Sequence, residues 1–286
     1  MSPFAASRIA GALLAASVFM PAVAQVQKEK IPDLASKDFG WQHNEEDWLD
    51  PPPGFGHGPI KNDPAHPFVN NADGNRTHTQ VTVRITNTKD PVLKPWAAAQ
   101  IEATNQEILT GKREIPFTAQ ARCWPGGVPG QLLYPFEPFY VIQTPKEVWM
   151  IWQRDHMVRR IFLTDKHSAH VKPSWFGESI GHYENGDTLV VDTIGLSTHN
   201  SYIDNFRTPH SEKEHVVERF TVSPDHKSLT AKVTVEDPDT FNAPITLFKR
   251  WFRVDLPMLE VVCSENNGDY FNQNLYPIPQ AGKPDF

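Results

Sequence analysis

Seven of the chain's twelve histidines fall between Asp155 and Arg219, among acids and arginines that interrupt otherwise apolar strand patterns. A neutral imidazole transfers protons near pH 7, and a neighbouring carboxylate can orient it. The best-placed histidines are His156, which follows Asp155 and leads into Arg159-Arg160, and His210 and His215, which bracket Ser211-Glu212-Lys213-Glu214. Written as alternating strand faces, His156 and Arg160 share a face with Val158 and Phe162, and Asp192 shares one with Val190. Glu218 falls with Val216, Phe220 and Val222, Glu260 with Met258 and Val262, and Arg250 lies between Phe248 and Phe252. A charge on an apolar face costs several kcal/mol unless it is paired or hydrated. The pattern therefore predicts a polar-lined interior cavity in place of a dry core.

In that cavity His156 or His215 would serve as base, with His210 a further catalytic candidate, and Asp192 or Glu218 would orient or donate. Arg160 or Arg250 would hold developing negative charge. Glu260 and Trp152, with Trp149, Tyr134 and Phe220, would line the substrate. The competing structural reading pairs Glu218 with Arg160 or Arg250. A metal site has partial signals. His167 and His170 could chelate from a turn, and His210 and His215 could join Glu218. On a strand, however, residues three or five apart face opposite sides, and no His-Glu-x-x-His, cysteine pair or calcium loop occurs. No metal and no cofactor is assigned, with a metal ion as the minor alternative. Gly177-Glu178-Ser179-Ile180-Gly181 resembles a nucleophile motif but lacks the helix that must follow it.

The elements that must position these residues are mostly strands. Candidates are Leu132–Ile142, Val148–Arg154, His156–Leu163, Ser179–Tyr183, Thr188–Thr193, His215–Val222, Leu229–Glu236, Ile245–Val254 and Met258–Cys263, preceded by Thr79–Thr86. Turn signals stand at Glu184-Asn185-Gly186-Asp187 and Ser223-Pro224-Asp225-His226. One helix is predicted, opened by Asp90-Pro91, with Pro95 fitting its first turn, Trp96, Ile101 and Ile108 at helical spacing, and Gly111-Lys112-Arg113 at its end. The fold class is mainly β: an antiparallel curved sheet or lipocalin-like barrel, with a sandwich as the alternative. Before it, residues 25–78 are rich in Pro and Gly, yet they carry Phe39, Trp41, Trp48, Phe55 and Phe68. They read as an extended arm anchored to the body by its aromatics. The body, 79–286, reads as a single domain.

Residues 1–24 read as a secretory leader: Arg8, an apolar run from Ile9 to Met20, then Ala22-Val23-Ala24. The remaining 286 − 24 = 262 residues lose only Arg8 among charged groups, which takes the net charge from −7 to −8. An acidic chain is a poor partner for nucleic acid or an anionic membrane surface, and no stretch is long enough to span a bilayer. Cys123 and Cys263 are the only cysteines. Export predicts a disulfide between them, with buried free thiols as the next reading.

Several segments also carry a resemblance. They are Cys123-Trp124-Pro125 with Gly126-Gly127-Val128-Pro129-Gly130, Asp155-His156 with Arg159-Arg160, and Trp175 to Gly181. Thr188-Leu189-Val190-Val191-Asp192-Thr193, Pro209-His210-Ser211, His215-Val216-Val217-Glu218-Arg219-Phe220 and Cys263 to Asn267 complete the set. Together they resemble a large, mostly uncharacterised family of exported bacterial proteins. The resemblance implies export to the periplasm or beyond and implies no particular reaction. The functional expectation is an exported enzyme acting on a small, partly apolar molecule, aromatic or glycosidic, as lyase, isomerase or hydrolase. A small-molecule-binding protein without catalysis is the alternative, and a structural envelope protein the third. The sequence assigns no oligomeric state.

Overall fold

The computed structural model describes residues 31–45, 47–67, 84–110, 119, 123–133, 137–199 and 202–263. The leader, Phe68, His78, Tyr134, most of the predicted strand Thr79–Thr86 and the predicted helix stop at Gly111 lie outside the described residues. Nine strands follow one another around a closed barrel. They are β1 (Gly40–Gln42), β2 (Phe139–Gln143), β3 (Glu147–Trp152), β4 (Val158–Phe162), β5 (Glu178–Glu184), β6 (Thr188–Ile194), β7 (His215–Val222), β8 (Ser228–Glu236) and β9 (Ile245–Val254). Eight of them are strands the alternation predicts. The ninth is not Met258–Cys263, which contributes only an isolated bridge from Val261 to Arg154. It is β1, from the arm, which pairs with both β2 and β9 and closes the ring. Neighbours are antiparallel except β4 and β5, which run parallel because residues 163–177 cross from one end of β4 to the other.

The barrel interior is a packed core, which corrects the expected internal cavity. Trp41, Phe139, Met150, Trp152, Phe220 and Trp251 fill it, and Leu229, Ala231, Val233 and Val235 line it from β8. Trp152 and Phe220 are buried in this core. The inward charges are satisfied by other charges or by backbone. On β4 the inward residues are Arg159 and Ile161, so Arg160 and Val158 face solvent. On β9 they are Leu247, Lys249 and Trp251, so Arg250 and Phe252 face out. In both strands the apolar residues divide between the faces. Counting them picks the wrong phase, and a one-residue slip exchanges every inward and outward side chain. Glu218 is inward as expected, but its partner is Arg159, not Arg160 or Arg250. The fork meets both carboxylate oxygens, and the guanidinium also donates to Ser179 Oγ at 3.2 Å and Thr193 Oγ1 at 2.9 Å. Arg160 instead makes a bidentate pair with Glu147 beneath Trp149, and Arg250 pairs with Glu45.

The arm is anchored as its aromatics suggest. Trp41 and Trp48 are buried, Trp48 donates to Ile203 O at 2.9 Å, and the Lys249 ammonium binds the carbonyls of Glu45 and Asp47. Phe55 stays partly exposed against Phe248 on the outer wall. Helix α1 (Pro95–Leu109) begins at Pro95 and buries Ala97, Ile101 and Asn105, leaving Trp96 exposed. No helix among the described residues is long and apolar enough to cross a membrane.

Cys123 and Cys263 form a disulfide across 140 residues of chain. Closing so long a loop restricts the unfolded chain, so Cys123→Ser/Cys263→Ser is expected to lose about 2–4 kcal/mol of unfolding free energy. The denaturant midpoint reads this. An unshifted midpoint would show that other contacts, such as the Cys263 amide on Asp155 Oδ1 at 2.8 Å, already fix this end of the chain.

Candidate functional site

The connection from β6 to β7 builds the site. It leaves the barrel at Ile194, returns at His215, and faces the start of α1. Between them lies a cavity of about 430 Å³, lined by Trp96 and Gln100 from the helix and by Thr198, Tyr202, Pro209, His210, Ser211 and Glu212 from the connection. Asp237, just past β8, ties the two walls together. Its carboxylate accepts from Ser211 N (2.6 Å), Ser211 Oγ (2.7 Å), Thr240 Oγ1 (2.7 Å) and Asp239 N (3.1 Å). The turn it shapes receives Trp96 Nε1 on Asp239 O at 2.6 Å and the Lys94 amide on Thr240 O at 2.9 Å. Burial opposes its ionisation, yet these donors outweigh burial and hold Asp237 below the usual carboxylate range.

His210 stands in this wall with only 1% of its side chain exposed. Its Nδ1 lies 2.7 Å from Glu214 Oε2 and 3.2 Å from Ser211 O. Its Nε2 is buried and has no hydrogen-bond partner among the described residues. Burial pushes Glu214 up against the pull of His210. For His210, burial disfavours the charged ring, but the carboxylate beside it outweighs this and the net shift is upward. Both shifts mean that the pair keeps its protons to higher pH than either group alone. Nδ1 hydrogen-bonds Ser211 O and stands in ion-pair range of Glu214, whose two carboxylate oxygens, like Nε2, are buried without a hydrogen-bond partner among the described residues.

Asp204 caps the turn on the far side of the connection, where its Oδ1 accepts from Phe206 N (2.9 Å) and Thr208 N (3.0 Å). Burial raises its pKa to about 6 despite these donors. The folded chain therefore holds a proton that the unfolded chain releases near pH 4, and stability falls as pH rises from about 4 to 6. Two units correspond to about 3 kcal/mol at most. Asp204→Asn keeps an acceptor oxygen and is expected to gain about 1–2 kcal/mol at pH 7.5 and nothing at pH 4. Urea unfolding at the two pH values checks this; an equal effect at both would remove burial of the charge as the cause.

A second set of residues gathers on the outer wall at the same end of the barrel. Asp192 shares a face with Val190 as predicted, but that face is the outside. His167, on the crossing from β4 to β5, places Nδ1 3.0 Å from Glu178 Oε1 and Nε2 2.9 Å from Asp192 Oδ1. His215 Nε2 approaches the same Asp192 oxygen at 3.1 Å, and its Nδ1 faces Glu236 at 3.7 Å. Asp192 is partly buried, which disfavours its charge, but the two imidazoles outweigh burial and lower its pKa.

The other predicted residues do not join either group. His156 sits exposed in the turn after β3, with a φ of 46°, and Glu260 is exposed beyond β9. Glu218 is sealed in the core. His170 is exposed and apart from His167's contacts. Ser179 is buried under Arg159 and does not face solvent. The residues that sequence reasoning passed over are Arg159, Asp237 and Glu214. Of these only Glu214 left a usable signal, its i, i+4 spacing from His210.

The fold and site define a mainly β barrel with a histidine–carboxylate pair set in a side cavity outside the barrel's core. No family profile, curated protein or solved structure matches the chain.

Proposed function

We propose that this chain is an exported enzyme that performs acid–base chemistry on a small, partly apolar molecule, as a lyase, isomerase or hydrolase. The observation that carries the reading is the buried His210–Glu214 ion pair in a chain segment that lines the cavity, with the ring's Nε2 and both carboxylate oxygens lacking hydrogen-bond partners among the described residues. A buried polar nitrogen without a partner costs about 1–3 kcal/mol, a cost a folded chain recovers when a ligand supplies the partner. In this reading Nε2 takes or gives the proton, Glu214 fixes the ring and stabilises its cation, and Trp96 and Tyr202 hold the apolar part of the substrate. The disulfide, the leader read over residues 1–24 and the family resemblance support export.

The test is a screen of small aromatic esters, aryl glycosides and β-hydroxy ketones against the wild-type chain and His210→Gln, read by mass spectrometry. Turnover by the wild type that vanishes in the variant supports the reading. Turnover that survives His210→Gln overturns the assignment of the base. Saturable binding of a screened compound without turnover replaces the enzyme with a small-molecule-binding protein.

A further inference from the structure

The walls of the side cavity carry a charge pattern that sorts its ligands. Among the described residues that line it, Glu212 is the one acid, and there is no lysine or arginine. Glu212 is exposed to solvent. The lysines next to these walls in sequence are engaged elsewhere. Lys213 Nζ stands 3.0 Å from Asp239 Oδ2, and the Lys94 ammonium donates to Pro238 O. His210 brings no net positive charge to the wall. With one proton between them His210 and Glu214 sum to zero, and without it the pair is negative. Behind Ser211, Asp237 is held ionised and adds a further anion. An anionic ligand therefore meets repulsion and finds no cation to offset it, whereas a cation is attracted.

Two aromatic residues complete the wall, Trp96 from α1 and Tyr202 from the β6–β7 connection. Trp96 is 41% exposed, yet its Nε1 donates to Asp239 O at 2.6 Å, so the indole is fixed without being covered. Behind Tyr202 the chain passes so close that a Cβ at Gly130 would collide with Tyr202 O. Rings held in place beforehand bind at low ordering cost, and their faces attract cations. The tautomer of His210 points the same way. Its Nδ1 faces Ser211 O and Glu214 Oε2, which only accept, so a ring with one proton carries it there. The buried Nε2 then presents a lone pair, which has no donor among the described residues. A ligand N–H supplies one.

We propose that the side cavity selects a small organic ammonium ion with an apolar body. Glu212 attracts its charge, and Trp96 and Tyr202 hold it by cation–π and apolar contact. This assignment rests on the reading of the cavity as the substrate site, and it narrows that site's substrates to those that carry an amine. A volume of about 430 Å³ admits a molecule of one ring and a short chain. A neutral ligand of the same shape would use the same rings but gain nothing from the charge of Glu212.

The test titrates the chain near neutral pH with 2-phenylethylamine, 2-phenylethanol and 3-phenylpropanoate, read by calorimetry. The three share an apolar body and differ in the charge of the head group. The amine should bind about tenfold more tightly than the alcohol, and the carboxylate more weakly than either. Added salt should narrow these gaps. Glu212→Gln should weaken the amine about 2–5-fold and leave the alcohol unchanged. Trp96→Leu and Trp96→Phe both lose the bond to Asp239 O, so their difference isolates the ring. Trp96→Leu should bind the amine about 2–5-fold more weakly than Trp96→Phe. Thermal unfolding of each variant checks that the barrel is intact. Equal affinity for amine and alcohol, a preference for the carboxylate, or no binding of the three overturns the proposal. So does amine binding that Glu212→Gln and Trp96→Leu both leave undiminished, since the amine would then sit elsewhere on an acidic chain. Turnover of a neutral substrate that His210→Gln abolishes, without amine preference, sinks this assignment and keeps the catalytic reading. Selective amine binding without turnover does the reverse.

Discussion

Glu218→Gln is expected to lower the unfolding free energy by about 3–5 kcal/mol, because it strands the guanidinium of Arg159 inside the barrel without its anion. Both side chains are essentially inaccessible, at 1% and 0% exposure. Four contacts, two to Glu218 and one each to Ser179 and Thr193, satisfy the guanidinium in the native state. Arg159→Met should cost a similar amount by leaving the carboxylate alone. The double change Arg159→Met/Glu218→Leu should cost far less than the sum of the singles, since it removes both charges and leaves apolar groups in an apolar core. A urea-unfolding cycle over the four proteins measures this. Single changes below about 1 kcal/mol would mean that water reaches the pair, and the barrel would not be the dry core described above. High salt should alter none of these values much, because the pair is shielded from solvent.

The second large effect concerns turnover. If His210 is the general base, His210→Ala should reduce kcat by about 10²–10⁴-fold. KM should move little, as the walls from Trp96, Gln100 and Tyr202 remain. Glu214→Gln should retain the ring's position but not its charge stabilisation, and should cost less than loss of the ring. Steady-state kinetics on whichever substrate the screen yields separate these outcomes. A His210→Ala variant within tenfold of wild type would remove the pair from the chemistry. A variant with unchanged kcat and a raised KM would leave His210 as a binding residue alone.

The particular residues show what could be read from the chain alone. Alternation at Val216, Glu218, Phe220 and Val222 placed β7 and its inward acid correctly, because three of its four apolar residues lie on one face and only Val217 lies on the other. The same rule failed at Val158-Arg159-Arg160-Ile161-Phe162 and at Phe248-Lys249-Arg250-Trp251, where both faces hold apolar residues and one is covered by the arm or by a cation over a ring. The helix was legible, but it starts at Pro95 and not at Asp90-Pro91, and its inward face is Ala97, Ile101 and Asn105. Trp96 was freed to wall a cavity by its hydrogen bond to the 237–240 turn.

The sequence by itself determined eight of the nine strands, the presence of the helix, the disulfide partners and the concentration of histidines and acids between Asp155 and Arg219. Each of these follows from local periodicity or from a count of two cysteines. Tertiary structure alone decided which residues meet. Closure by β1, the parallel step from β4 to β5, the pairing of Arg159 with Glu218 and the meeting of His167 with His215 over Asp192 all depend on register between strands distant in sequence. A register is fixed only when the whole ring has buried its apolar faces together, so no local pattern carries it.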